Sequence, residues 1–169
     1  MTTMKKISAF AIALSLLTVP LYAALKASAV RSGNYTFAQG TSNLVPLDNA
    51  GTTQLTFSGS GKHVITYSAE CAVSAAAGNA GTWLNIDIEL IPNIATGVVQ
   101  VLAPTAGTSD AFCTSNETAG ADGWGTQSIT VPTPALPGGN HILRIRANVQ
   151  NGVAGNSGWL GDTALVVTK

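Results

Sequence analysis

After residue 50 the chain alternates apolar and polar side chains, and a period of two marks strands with one face in a core and the other in water. In ITYSAECAV, residues 65–73, the residues Ile65, Tyr67, Ala69, Cys71 and Val73 share one face, and Thr66, Ser68 and Glu70 share the other. WLNIDIELI (83–91) turns Leu84, Ile86, Ile88 and Leu90 inward and Trp83, Asn85, Asp87 and Glu89 outward, and Pro92 ends it. HILRIRANV (141–149) sets Leu143, Ile145, Ala147 and Val149 against Arg144, Arg146 and Asn148. Shorter runs predict strands over TTQLTF (52–57), VVQVLA (98–103), AFCT (111–114), TQSITV (126–131) and TALVV (163–167). Connectors rich in Gly, Pro, Asn and Ser, such as SGSGK, SAAAGNAG and PTPALPGGN, separate them. No segment of helical period competes. About seven or eight short antiparallel strands predict a single all-β domain, a β-sandwich or jelly roll. Residues 30–50 read as a short arm before the first strand, and GNYTF and TALVV are expected to pair at one end of a sheet.

The N-terminus changes where this domain is expected to work. A short basic head, MTTMKK, precedes the apolar run ISAFAIALSLLTVPLYAA, which is the layout of a secretory signal peptide. Cleavage fits after Ala23 (LYA) or after Ala29 (ASA), and the small-x-small rule favours Ala29. The expected organisation is therefore a leader over 1–29 and a β-sandwich domain over 30–169, secreted or periplasmic. Those 140 residues carry 5 basic against 8 acidic side chains and no Lys/Arg cluster. Nucleic acid and anionic membrane surfaces both need concentrated positive charge, so neither is an expected partner beyond the leader itself.

Export also decides what the two cysteines do. In an oxidising compartment two cysteines of one small domain pair, so a Cys71–Cys113 disulfide is expected. Closing so long a loop contributes about 4 kcal/mol in the chain-entropy description. Glu70 points away from Cys71 on the strand and cannot serve it as a proton partner. A closed zinc site is excluded, since two cysteines with His63 and His141 lack the spacing it requires.

Two stretches carry resemblances. ALPGGNHILRIRANVQNGVAGNSGWLGDTALVV (135–167) is similar in style to the end of carbohydrate-binding jelly rolls. TTQLTFSGSGKHVITYSAECAV (52–73) resembles the opening hairpin of tumour-necrosis-factor-like trimeric jelly rolls. Both resemblances imply a jelly roll and say little about its ligand.

Candidate binding chemistry is concentrated in loops. Trp124 (ADGWG) and Trp159 (NSGWLGD) sit among Gly, Asn and Asp, where an indole is hard to bury and marks recognition or else folds back as a lid. Asp122, Asn116 and Glu117 share the Trp124 loop and supply the amide and carboxylate groups that sugar hydroxyls need. With Asp110 they also form the oxygen donor set that calcium takes, although turn formation by Asn and Asp accounts equally for their presence. The outward row Trp83, Asn85, Asp87, Glu89 reads as a solvated face that forms charge pairs wherever Arg144 and Arg146 lie beside it. Asn34 and Asn116 head Asn-x-Thr sequons. No Gly-x-Ser-x-Gly is present, and GSGKH lacks the pattern of a phosphate loop, so an enzyme is not expected. The sequence thus predicts an exported non-catalytic binding module with glycan as leading ligand class, and as alternative a structural, self-associating surface protein. No cofactor other than calcium is implied.

Overall fold

A computed structural model describes residues 23–75, 81–95, 97–102, 111–115, 120–121 and 124–169. In chain order the strands are β1 (Leu25–Arg31), β2 (Tyr35–Ala38), β3 (Ser42–Leu44), β4 (Leu55–Ser58), β5 (Val64–Ala75), β6 (Trp83–Ile91), β7 (Gln100–Val101), β8 (Ala111–Thr114), β9 (Gly120–Ala121), β10 (Gly125–Pro132), β11 (Asn140–Gln150) and β12 (Ser157–Thr168). They form two antiparallel sheets. Sheet A runs β1-β12-β5-β10, with β2 also on β12 and β9 on β5; sheet B runs β3-β11-β6-β7, with β4 also on β11 and β8 on β6. Successive long strands alternate between the sheets, so this is a jelly roll, and the expected fold class holds.

The alternation of the sequence explains the core. Ile65, Tyr67, Cys71 and Val73 of β5 face Leu84, Ile86, Ile88 and Leu90 of β6 across the sandwich, all of them buried. Leu143, Ile145 and Val149 of β11 and Leu160, Leu165 and Val167 of β12 complete it. Each such aliphatic side chain contributes about 1.5–3 kcal/mol on burial, so the inner faces dominate stability. Cys71 on β5 and Cys113 on β8 form the expected disulfide, which ties sheet A to sheet B.

Four expectations are corrected. Residues 30–50 are not an arm: β2 and β3 lie there, and Phe37, Val45 and Leu47 enter the core. GNYTF does not meet TALVV, because β2 pairs with Ser157–Leu160 at the other half of β12 while β1 covers the second half. The segment around SGSGK is not a hairpin: β4 pairs with β11 and β5 with β12 and β10, so the turn is a corner between sheets. Trp159, placed in a loop by its glycine neighbours, is inside β12. The pairing of β1 with β12 runs from Leu25 to Arg31.

The outward row of β6 differs in burial rather than direction. Asn85 and Glu89 are 2% and 6% exposed, so this face is not simply solvated. Its expected cross-strand pairing is present: Asp87 stands opposite Arg146 and Glu89 opposite Arg144. Both arginines converge on Glu89, whose Oε2 lies 2.7 Å from Arg144 Nη2 and whose Oε1 lies 2.6 Å from Arg146 Nε. A buried carboxylate is tolerable because two cations and their N–H donors replace its water.

Candidate functional site

The outer face of sheet A collects the two candidate tryptophans. Gly125 is opposite Cys71 in the β10–β5 ladder, and Thr126 is opposite Glu70, so Trp124 stands one position beyond the ladder, level with Ala72. Ala72 is in turn opposite Trp159 on β12, and Trp159 is opposite Thr36 on β2. By the period-two rule Trp124, Ala72, Trp159 and Thr36 all belong to the outer face. The next row on that face holds Thr126, Glu70 and Gly161.

A break in β12 shapes this region. Between Gly161 and Ala164 the β12–β5 register slips by one residue, a β-bulge. Asp162 takes φ 33°, a left-handed conformation that Asp tolerates better than most residues. Its Oδ1 accepts a hydrogen bond from the Gly33 backbone N–H at 2.9 Å. That bond anchors the turn over 32–34, where the chain leaves β1 for β2, and a second bond from Asn49 Nδ2 to Ser32 Oγ at 3.0 Å holds its other side. Arg31 reinforces it, with Nη2 donating to Asn34 O at 2.8 Å and its guanidinium 5.6 Å from the Tyr35 ring centroid. Asn34 is thereby carried over Gly161.

Three groups converge above that glycine. A Cβ built on Gly161 would stand 2.9 Å from Asn34 Oδ1, 3.4 Å from Glu70 Oε2 and 3.4 Å from the Trp124 ring at Cζ3. Neighbouring strands are about 4.8 Å apart, so the indole of Trp124 reaches across β5 to touch the β12 surface rather than standing away from the sheet. Trp124 remains 47% exposed, and Glu70 and Asn34 are exposed too. The two ion pairs among the described residues both belong to Glu89 on the opposite sheet, so neither engages Glu70. Beside this cluster, a cavity of about 300 Å³ is lined by Ala72, Thr114, Gly125, Gln127 and the Cys71–Cys113 disulfide.

An aromatic surface, a carboxylate and an amide side by side can hold a polyhydroxylated ligand: the indole covers a C–H face while the polar groups take hydroxyls. Of the sequence candidates, Trp124 and Trp159 share this face. Asp122, Asn116, Glu117 and Asp110 lie outside the described residues. Among the described residues, no group of three His, Cys, Asp or Glu is placed to hold a metal ion. Glu70, Asn34 and Gly161, which the structure brings next to Trp124, were not among the sequence candidates. The outward parity of Glu70 was visible, but its proximity to Trp124 and Asn34 arises only from the pairing of β5 with β10 and β12.

No family model matches the chain, and no curated protein matches it. Among solved structures, the chain is similar to the structure of infectious bursal disease virus Gt strain, at 15% identity and a TM-score of 0.38, covering 96% of this chain and 36% of that one. It thus spans about a third of the length of the viral chain. The CBM22-1 xylan-binding domain of Paenibacillus barcinonensis Xyn10C is similar at 14% identity and a TM-score of 0.36, over 87% of this chain and 96% of that one. The C-terminal CBM6 of LamC from Zobellia galactanivorans is similar at 17% identity and a TM-score of 0.28, over 79% and 99%.

Proposed function

We propose that this chain is an exported, non-catalytic binding module that takes a glycan on the outer face of sheet A. The observation that supports it is the convergence of Trp124, Glu70 and Asn34 over Gly161, with Trp159 in the adjacent row. A sugar ring stacks on the open face of the Trp124 indole, the Glu70 carboxylate accepts from its hydroxyls, and the Asn34 amide both donates and accepts. A calorimetric titration against a panel of neutral polysaccharides, with and without calcium, tests this. Trp124→Ala is expected to weaken binding about 30-fold or more, as for a central aromatic anchor, while the thermal midpoint stays nearly unchanged. A wild-type protein that binds no member of the panel, or a variant that binds as well as wild type, overturns the reading.

Self-association is the second reading, and one feature favours it. Ile94, Val98, Val99 and Val101 are exposed together around β7 at one edge of sheet B. Such apolar strand edges attract other chains. A sedimentation measurement separates the readings: a defined trimer or polymer without glycan binding supports the second, and a monomer that binds glycan supports the first.

A further inference from the structure

We infer that the leader is removed at the Ala23–Ala24 bond, so that the exported chain begins at Ala24 and keeps the whole of β1. The inference rests on the export part of the proposed reading. Of the two candidate cleavage points, the sequence rule favours Ala29, but the fold places the bond after Ala29 in the middle of a strand.

The β1–β12 ladder pairs Ala27 with Val167, Ser28 with Val166, Ala29 with Leu165, Val30 with Ala164 and Arg31 with Thr163. It extends to Ala24, whose N–H donates to Lys169 O at 2.9 Å while the Lys169 N–H donates to Ala24 O at 3.0 Å. Ala27 and Ala29, the two small residues that make ASA resemble a cleavage site, turn inward and pack against the core. Their smallness has a structural cause: they sit at the edge of the sandwich, where β1 closes over Leu165 and Val167. Removing residues up to Ala29 leaves only Val30 and Arg31 of β1 and opens the backbone edge of β12 from Leu165 to Thr168. An uncovered edge of that length is a template for pairing with another chain. Cutting after Ala23 removes none of the ladder. It also leaves the nitrogen of Ala24 free to donate to Lys169 O as an amino group.

The step is a hydrolysis by an export-associated endopeptidase that accepts a small side chain before the scissile bond. Water adds its hydroxyl to the Ala23 carbonyl carbon, the C–N bond breaks, and the Ala24 nitrogen takes the proton. Ala23 supplies the small residue at that point.

The test uses the full chain with its own leader, produced in an exporting bacterial host, and reads the N-terminus of the protein recovered from the exported fraction by sequencing and intact mass. The expected sequence is Ala-Leu-Lys-Ala. Val-Arg-Ser-Gly overturns the inference and leaves export standing. A chain that keeps residues 1–23 in the cytoplasmic fraction overturns export, and the inference with it. Ala23→Asp is expected to block processing and accumulate the precursor; continued release of a chain beginning at Val30 from this variant also overturns the assignment.

Discussion

Asp162, on the bulge of β12, accepts a hydrogen bond from the backbone of Gly33 at 2.9 Å, across 129 positions of sequence. That bond joins the point where β1 gives way to β2 with the irregularity of the strand they both cover. Its consequence is the location of Asn34 beside Gly161, Glu70 and Trp124.

Gly161 is the floor of this cluster, so adding one methyl group is a sensitive probe. In Gly161→Ala the new Cβ would meet Asn34 Oδ1 at 2.9 Å, closer than unstrained contacts allow. Asn34 is exposed and its amide can swing away, so stability is expected to fall by only about 1 kcal/mol. Glycan affinity is expected to fall much further, because the displaced amide and the crowded indole edge both belong to the proposed site. Chemical denaturation and calorimetry on the same preparation check this; loss of stability with intact binding contradicts it.

The Cys71–Cys113 disulfide joins the two sheets and lines the cavity it shares with Ala72, Gly125 and Gln127. Thiol titration of the denatured, unreduced protein is expected to find no free thiol. Cys71→Ala is expected to cost about 2–5 kcal/mol, the usual loss for a native bridge in a small secreted domain. Its measurement is the midpoint of urea unfolding, taken beside wild type with and without reductant.

On β6, neighbouring positions are expected to respond by different physics. Ile86→Ala opens a cavity in the core and is expected to cost about 2–5 kcal/mol. Glu89→Ala leaves Arg144 and Arg146 facing each other without their shared carboxylate. Those arginines are only partly buried, with 17% and 30% of their side-chain surface exposed, so solvent screens the repulsion and the expected cost is about 1–3 kcal/mol. Added salt is expected to shrink the second loss and leave the first unchanged, as denaturation midpoints at low and high ionic strength will show.

His63 makes the corner between β4 and β5 sensitive to acid. It is 1% exposed, packs edge-on to Phe57, and its Nε2 is buried without a partner. Burial holds its pKa below the ordinary 6.5; the Gly61 carbonyl opposes this, and Lys169, His141 and Lys26 add to the lowering. The unfolded chain therefore binds the proton more readily than the folded one. Stability from this group is complete above about pH 6.5 and is lost as the pH falls toward the lowered folded value. Thermal midpoints at pH 7.5 and 5.5 are expected to decline on acidification, and less so in His63→Phe. An unchanged slope in that variant assigns the effect elsewhere.

Period-two alternation was enough to locate β5, β6 and β11, and to orient Cys71 inward and Glu70 outward, because side-chain direction along a strand is a local property. The disulfide was legible for a similar reason, there being no other cysteine for Cys71 to meet. Residues 25–44 were not legible, since β1, β2 and β3 are short and are defined as strands by the distant β12 and β11 that receive their hydrogen bonds. Trp159 was misplaced because glycines on both sides imitate a loop, whereas in β12 Gly158 fits against Leu84 and Val149 and Gly161 lies beneath Asn34. Burial of the outward Glu89 depended on where both arginines of β11 came to rest. Alternation thus determined which way each strand faces. Only the tertiary structure decided which outward residues share a surface, because the period of a strand carries no information about which strand lies beside it.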